Sequence, residues 1–145
     1  ETLIDQGIEF QVVPGITAAS GAASYAGIPL THRDHAQSVT FTTGHLRNNS
    51  IDLDWHALVK PNHTLVFYMG LTGLPIICEK LIEHGLPAST PIGLIQSATR
   101  LEQKVVTGTL GDINDNPETA LLQPPTLIIV GSVVSLQQQL NWFGQ

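Results

Sequence analysis

The sequence predicts an α/β domain with a mixed β-sheet flanked by helices. Short apolar runs rich in Val and Ile alternate with helical patterns along the 145 residues, and this alternation is typical of a sheet covered by helices. Two neighbouring strands, residues 91–97 and 103–110, are separated by about five residues, a hairpin-like spacing. The sheet is therefore expected to contain antiparallel as well as parallel pairs, and the length suits one domain with a sizeable core.

Each element follows from its local pattern. In chain order, the predicted strands are residues 8–13, 38–43, 63–69, 91–97, 103–110 and 126–131. The predicted helices are residues 16–26, 55–59, 74–84 and 132–140. Glycines at the helix ends and Ser132 at the start of the last helix favour these boundaries. Residues 48–54 are polar and turn-like, and residues 111–122 fit either a turn or a helix that starts after Asn116.

The composition excludes several classes of protein. Charged residues make up only 12% of the chain and the net charge is −6, which argues against a nucleic-acid-binding surface. The low charged fraction is about half the usual share, so part of the surface is expected to be buried against another lobe or subunit. No apolar run approaches the length of a membrane span. A single cysteine, Cys78, excludes an internal disulfide and predicts a buried packing thiol, which fits a cytoplasmic protein.

The segment from Val12 to Gly21 is the most informative local pattern. An apolar run enters Pro14-Gly15, and a helix built from Ala, Ser and Gly follows. Gly15 permits a close backbone approach, and unpaired N–H groups at a helix start favour a polar or anionic ligand. Two interpretations remain open from the residues alone: a tight turn whose small side chains serve packing, or one wall of a ligand site.

The densest polar run is Thr31-His32-Arg33-Asp34-His35. It follows a helix and a proline, which predicts a loop, where functional side chains concentrate. A metal site on His32 and His35 is disfavoured because no second ligand pair has metal spacing, so we expect no metal. A solvated loop and a carboxylate-binding loop, with Arg33 as a planar bidentate donor, both remain possible.

Two further patterns lie at predicted strand ends. His45 follows Gly44 after one strand, where it is placed to orient a carboxylate or shuttle a proton near neutral pH, although a surface histidine fits nearly as well. Arg47 adds positive potential nearby. Met69 ends the central strand, and a methionine there is more often core filler than a ligand contact.

Five ordered strings carry a resemblance to a known family. They are Val-Val-Pro-Gly-Ile-Thr-Ala-Ala, Gly-Ile-Pro-Leu-Thr-His-Arg, Gly-His-Leu, Thr-Leu-Val-Phe-Tyr-Met-Gly and Leu-Ile-Ile-Val-Gly, at residues 12–19, 27–33, 44–46, 64–70 and 127–131. In this order they resemble the C-terminal part of the uroporphyrinogen-III C-methyltransferases, within the tetrapyrrole methylase family. The resemblance covers nearly the whole chain.

The resemblance implies a two-lobed fold with S-adenosyl-L-methionine held between the lobes. The family's N-terminal lobe carries a Gly-Pro-Gly turn and a Gly-Gly-Asp loop, and neither string occurs here. We therefore expect a piece of a longer protein, in which residues 1–7 end a helix of the N-terminal lobe and residues 8–145 form the C-terminal lobe. The expected partners are that missing lobe, a second copy in a homodimer and a tetrapyrrole substrate, with no nucleic acid and no membrane.

The resemblance also implies the site. By match to the family's strings, the cofactor-binding residues are Pro14, Gly15, Thr17, Ala18, Met69 and Ala98. Ala98 stands where relatives carry Gly in an Asn-Gly-Thr turn, a departure that backbone contacts tolerate. The substrate-binding residues are Thr31, His32, Arg33 and His45.

The implied reaction is methylation of uroporphyrinogen III to precorrin-2 by way of precorrin-1, a step toward siroheme and cobalamin. The methyl sulfonium is already a strong electrophile, so the protein is expected mainly to position and desolvate its ligands, and no catalytic residue is assigned. Two alternatives to this function remain: another tetrapyrrole methylase, and a dimerisation or interaction lobe without activity.

Overall fold

The computed structural model describes residues 1–46 and 50–144 of the chain. Within this part, the strands are β1 (Ser38–Thr43), β2 (His63–Tyr68), β3 (Pro91–Gln96), β4 (Lys104–Thr109) and β5 (Thr126–Val130). The α-helices are α1 (Thr2–Asp5), α2 (Ala18–Ala26), α3 (Trp55–Leu58), α4 (Leu74–Glu83) and α5 (Gln137–Leu140). Short 3₁₀ helices cover Ile113–Asp115, Thr119–Leu121 and Ser132–Leu136.

The strands form one mixed sheet in the order β1-β2-β5-β3-β4. Strands β1 and β2 are parallel, with Ser38 opposite His63 and Thr43 opposite Tyr68. Strand β5 lies antiparallel between β2 and β3, and β4 pairs with β3 as an antiparallel hairpin. Strands β1, β2 and β3 therefore run in the same direction, and their carboxyl ends lie at one edge of the sheet together with the start of β5. The predicted mixed α/β sheet is confirmed.

Both faces of the central strands are buried, and alternate residues serve different cores. On one face, Leu65 and Phe67 of β2 pack in a cluster with α3 and α4 that includes Trp55, Ile77 and Leu81. On the other face, the small residues of α2 pack against β2, β5 and the 3₁₀ helix that follows β5, in a cluster that contains Ala19, Ala22, Ala23, Ala26, Val66, Ile129 and Val133. The alanines let α2 approach the sheet closely.

The predicted strand over residues 8–13 is wrong. These residues form no ladder, and Val12 and Val13 are 78% and 80% exposed. A strand is stabilised by its neighbours, and no described strand pairs with this segment. The apolar side chains of Ile8, Phe10, Val12, Val13 and Ile16, all more than half exposed, are here called the N-terminal apolar segment.

Other boundaries shift at helix ends. Helix α2 begins at Ala18 rather than at residue 16, after Thr17 as its N-cap. Ser132 makes no side-chain cap, and the predicted helix over 132–140 divides into a 3₁₀ helix and α5. Residues 111–122 form two short 3₁₀ helices. The prediction of a turn over 48–54 falls partly outside the described residues, and Arg47 lies outside them.

Candidate functional site

A cavity of about 710 Å³ opens at the carboxyl ends of β1, β2 and β3. In open α/β sheets, this is the edge where ligands bind, and the volume lies within the usual range for small-molecule sites. Helix α2 forms one side, and the loops after β1, β2 and β3 and the segment before β5 form the others. The lining residues are Ala18, Ala22, His45, Tyr68, Met69, Leu71, Thr72, Ile95, Ser97, Ala98, Arg100, Pro124, Pro125, Thr126 and Leu127.

The carboxyl ends of β1 and β2 approach each other closely beside the cavity. The Gly44 amide donates to the Tyr68 carbonyl at 2.8 Å. A Cβ added at Gly44 would lie 2.8 Å from Gly70 Cα and 2.9 Å from Ile77 Cδ1. Only glycine fits here without a shift of backbone, so this pair of glycines lets His45 and Met69 leave adjacent strands at the same edge.

Positive backbone φ angles cluster at the cavity. Met69 has φ 53°, Ser97 has φ 48° and Thr99 has φ 70°, a left-handed conformation that non-glycine residues rarely adopt. Two of these residues line the cavity and the third adjoins it. Such conformations persist where the surrounding structure imposes them, and they concentrate at binding sites.

The turn after β3 is held from two directions. The Thr99 amide donates to Gln103 Oε1 at 2.8 Å, and Gln103 Nε2 donates to the Tyr25 carbonyl of α2 at 3.2 Å. On the other side, the Ser97 amide donates to the Pro125 carbonyl at 3.0 Å. The cavity wall formed by Ser97 and Ala98 is thus fixed to both α2 and the segment before β5.

The segment before β5 is also fixed to β3. The Gln123 amide donates to Gln96 Oε1 at 2.7 Å, and Thr126 Oγ1 donates to the Gln123 carbonyl at 2.7 Å. The peptide bond between Pro124 and Pro125 is cis. These contacts present two proline rings to the cavity as an apolar surface.

Apolar side chains dominate the lining, and the basic groups among its described residues are Arg100 and His45. Arg100 Nη2 lies 2.6 Å from Glu102 Oε1, with both side chains more than half exposed, so this pair contributes little to stability. No Asp or Glu is among the lining residues. The arrangement can hold a largely apolar, flat ligand and position it. Among the described lining residues, no nucleophilic side chain is hydrogen-bonded to a base.

Four of the predicted site residues meet at this cavity. Ala18, Met69, Ala98 and His45 all line it. Thr17 adjoins the cavity through a hydrogen bond between its hydroxyl and that of Tyr68.

Pro14 and Gly15 lie in the exposed segment before α2, outside the lining. Their predicted contact with a ligand remains a prediction.

The predicted substrate loop lies at the other end of the sheet. Thr31, His32 and Arg33 precede β1, whereas the cavity follows its end. The Ser132 hydroxyl, just after β5, donates to the His35 carbonyl at 3.1 Å, which places the loop at the amino ends of β1 and β2. Six strand residues separate the two sites, roughly 20 Å at about 3.3 Å per residue.

That loop is a tight, polar turn. His32 forms an antiparallel bridge with Ala36, and the Asp34 amide donates to His32 Nδ1 at 3.2 Å. The rings of His32 and His35 are 5.1 Å apart in an edge-on arrangement. Over residues 1–46 and 50–144, no group of three or more His, Cys, Asp or Glu side chains is placed to hold a metal.

A histidine also lies at the amino end of β2. His63 Nδ1 is 2.6 Å from the Ser38 hydroxyl, and its Nε2 is 2.9 Å from the Thr40 hydroxyl. Burial lowers the pKa of His63, and the positive charge of Lys60 lowers it further. The neutral imidazole is therefore the favoured form, bridging two hydroxyls of the adjacent strand.

Cys78 is buried in α4, as predicted. Burial raises the pKa of its thiol to about 11, against a smaller opposing effect of a hydrogen bond from Asn114. A thiol held protonated in this way is a poor nucleophile. In the described part of the chain, no helix has the length and apolar character needed to span a membrane.

Several lining residues are not predicted from the sequence. Tyr68 lies in one of the five strings that carry the resemblance, but no role was predicted for it. Arg100 lies in none of those strings, and Pro124-Pro125 has the composition of an ordinary loop. The available signal was position: Tyr68 ends a central strand, and Arg100 belongs to the turn that follows another strand at the same edge.

A mixed sheet with an apolar cavity at its carboxyl edge is the arrangement in which α/β domains bind small molecules. The model of the Tetrapyrrole (Corrin/Porphyrin) Methylases matches residues 1–114. The chain belongs to this family.

Its relatives are longer proteins. Siroheme synthase of Pseudoalteromonas atlantica is 69% identical over 144 residues, which are 99% of this chain and 31% of that protein. Siroheme synthase of Nitrosomonas europaea is 61% identical over 143 residues, 99% of this chain and 30% of that protein. The chain thus spans less than a third of the length of either relative.

Solved structures agree with the fold. Uroporphyrin-III C-methyl transferase from Thermus thermophilus, complexed with S-adenyl homocysteine, superposes with a TM-score of 0.75 at 29% identity, over 92% of this chain and 57% of that one. A cobalt precorrin-4 methyltransferase has a TM-score of 0.80 at 24% identity, over 92% of this chain and 56% of that one.

Proposed function

We propose that this chain forms part of an S-adenosyl-L-methionine-dependent C-methyltransferase that converts uroporphyrinogen III to precorrin-2. The observation that carries the proposal is the cavity at the carboxyl edge. It brings together Ala18, Met69 and Ala98, which are far apart in sequence and were each matched to the family's cofactor contacts. The relatives named siroheme synthase and the Thermus thermophilus methyl transferase support this choice.

The cavity suits the adenosyl part of the methyl donor. Ala18 and Ala22 leave space beside α2, and the proline rings and Leu127 supply apolar contact. Met69 and Ser97, both with positive φ, line the cavity, and we propose that their backbone groups pair with the polar edge of the nucleobase. These residues bind, orient and exclude water, which is the larger part of what a methyl transfer needs.

S-adenosyl-L-methionine supplies an electrophilic methyl group on its sulfonium. In the proposed reaction, an electron-rich pyrrole carbon forms a bond to this methyl as the sulfur–methyl bond breaks. This chain would hold the donor so that the methyl faces the substrate. We assign no proton-transfer residue within residues 1–145.

The tetrapyrrole carries carboxylate arms, for which Arg33, His32, Thr31 and His45 are the proposed partners. His45 lies at the cavity, close to the proposed methyl donor. The loop with Arg33 lies at the amino edge, so it would serve an arm distant from the methylated carbon.

The N-terminal apolar segment is the surface that the remainder of a longer protein would cover. Ile16 is 85% exposed in the N-terminal apolar segment, and only 12% of the residues are charged. Apolar patches of this kind mark contact surfaces. We propose that a preceding lobe of the same protein covers this segment, that the cofactor lies between the two lobes, and that the protein acts as a cytoplasmic homodimer.

A second function is favoured by the same exposed segment. A lobe that serves only for dimerisation or interaction would also expose Val12, Val13 and Ile16. It would not require a cavity lined by strained backbone, and this difference gives the methyltransferase the stronger support. Another tetrapyrrole methylase, with a different macrocycle as substrate, is the nearer alternative.

A chimeric enzyme tests the proposal. The 144 matching residues of the Pseudoalteromonas atlantica siroheme synthase are replaced by this chain, and the product is here called the chimera. We expect calorimetric binding of S-adenosylhomocysteine and transfer of labelled methyl to uroporphyrinogen III. A folded chimera that binds S-adenosylhomocysteine but methylates only another tetrapyrrole supports the alternative substrate. A folded chimera without binding supports the interaction lobe.

A further inference from the structure

The start of helix α2 is capped in an unusual way. Thr17 occupies the N-cap position, where a threonine side chain normally accepts a hydrogen bond from the second or third amide of the helix. Here the Thr17 side chain makes no such bond. The amide of Ala19 donates instead to the hydroxyl of Tyr68 at 3.2 Å, and the same hydroxyl is hydrogen-bonded to the Thr17 hydroxyl.

Tyr68 reaches α2 from another part of the fold. It is the last residue of β2, 49 residues away from Ala19 in sequence. The Tyr68 hydroxyl accepts a hydrogen bond from the Ala19 amide at the start of the helix. It is also hydrogen-bonded to the Thr17 hydroxyl, the group that normally caps such an amide. The first turn of α2 is thereby tied to the carboxyl end of a central strand.

This tie lies between two sides of the proposed cofactor cavity. Ala18, the first residue of α2, lines one side, and Met69, the residue after Tyr68, lines another. Met69 has a left-handed backbone conformation, so the residues packed around it are needed to hold it in that position. A shift of the helix start relative to β2 would change the distance between these two sides.

We propose that Tyr68 is a positioning residue for the methyl donor: its hydroxyl caps α2 from the sheet and sets the spacing between Ala18 and Met69. The inference rests on the proposed function for the identity of the ligand. The cap itself rests only on the two hydrogen bonds. Removal of the hydroxyl leaves the Ala19 amide and the Thr17 hydroxyl without this partner, while the ring remains to fill its space.

The experiment compares variants of the chimera. Tyr68→Phe is expected to raise the Kd for S-adenosylhomocysteine about three- to tenfold, the range of one net hydrogen bond. The KM for S-adenosyl-L-methionine should rise by a similar factor, while the KM for uroporphyrinogen III changes less than twofold. Tyr25→Phe is the matched control because the Tyr25 ring packs against Trp142 and Phe143, outside the cavity lining. The Kd of the Tyr25→Phe chimera for S-adenosylhomocysteine should stay within twofold of that of the unsubstituted chimera.

Thr17 variants test the same hydroxyl pair from the other side. Thr17→Ser keeps a hydroxyl and should retain the affinity of the unsubstituted chimera, whereas Thr17→Val should weaken binding. Because both residues share one bond, the double variant Tyr68→Phe with Thr17→Val should bind only as weakly as the weaker single variant. All Kd values are taken at a temperature where circular dichroism shows each variant folded. If Tyr68→Phe does not fold, the Thr17 pair alone decides.

Hydrogen exchange separates this inference from the proposed function. Tyr68→Phe should speed amide exchange over residues 18–21, whatever ligand the protein binds. Unchanged exchange there overturns the cap, and an unchanged Kd, or an equal loss in Tyr25→Phe, overturns the positioning role. If the unsubstituted chimera does not bind S-adenosylhomocysteine, the proposed ligand is refuted. Faster amide exchange in Tyr68→Phe would still support the cap in that case.

Discussion

The two ends of the sheet offer a ligand very different surroundings. The carboxyl end holds a cavity of about 710 Å³, with strained backbone at Met69 and Ser97 and mainly apolar walls. The amino end holds a tight polar turn around His32, and both ring nitrogens of His63 contact hydroxyls of the adjacent strand. Residues that follow β1, β2 and β3 meet at the cavity with the residues that precede the antiparallel β5, whereas the loop that precedes β1 lies at the other end of the sheet. Position relative to strand direction therefore decides which of the predicted residues can share a ligand.

The largest expected effect concerns whether the carboxyl end suffices by itself. The chain of residues 1–145, purified alone, should fold around its own two cores but show no methyl transfer to uroporphyrinogen III. Small ligands need about 70–90% of their surface buried, and here the cavity is open, with Met69 65% exposed. Equilibrium dialysis with labelled S-adenosyl-L-methionine, beside a transfer assay, gives the measurement. Turnover by the chain alone would show that this lobe needs no partner.

A substitution in the cavity wall is expected to have the next largest effect. Ala18→Leu in the chimera adds volume where the backbone must approach the ligand, and it should weaken S-adenosylhomocysteine binding by more than about 1 kcal/mol, or roughly fivefold. Ser24→Leu is the control, since Ser24 is exposed on the same helix outside this cavity. If calorimetry gives the folded Ala18→Leu chimera the same affinity as its control, then α2 does not form part of the binding site.

Arg33 tests whether the amino end takes part at all. Arg33→Lys keeps the charge and loses the planar fork, so it should raise the KM for uroporphyrinogen III several-fold and leave the Kd for S-adenosylhomocysteine unchanged. Arg100→Lys gives the corresponding change at the carboxyl end, where Arg100 lines the cavity. Steady-state kinetics of the two chimeras decide between the ends. An effect of Arg100→Lys alone would place substrate recognition at the cavity only.

The smallest expected effect is on stability at the amino end. Since the pKa of His63 is lowered in the folded protein, the unfolded chain takes up a proton near the usual value of about 6.5 while the folded chain resists it. The stabilising contribution is thus present above that pH and is lost as the pH falls below it. Urea unfolding of the chain between pH 7.5 and 5 should show a steeper loss of stability than His63→Gln shows. Parallel pH profiles would mean that His63 titrates alike in both states.

The fold was largely predictable where burial agrees with local pattern. The apolar runs of β2 and β5 predict strands, and both are buried in the centre of the sheet. Residues 8–13 have a similar composition but form no strand, because a strand also needs a paired neighbouring strand, which local sequence cannot reveal. The same limit shifts the start of α2, where the cap comes from Tyr68 in another element.

The candidate site was predictable only in part. Family strings indicated Ala18, Met69 and Ala98, which the fold brings together. Tyr68 lies in one of these strings, but its role was not predicted because its hydrogen-bond partners lie about 50 residues away. The separation of Arg33 from the cavity depends on strand directions. Sequence patterns identify the residue types of a site, and the topology decides which of them meet.

Hydrogen–deuterium exchange on the chimera, with and without S-adenosylhomocysteine, tests the difference between the two ends most directly. Binding at the carboxyl end should slow amide exchange over residues 17–22, 68–72 and 97–100, because ligand contact and closure of the cavity protect these amides. Residues 31–36 at the amino end should exchange at the same rate in both states. Protection confined to residues 31–36, with none around the cavity, would contradict the assignment of the methyl donor to the carboxyl end of the sheet.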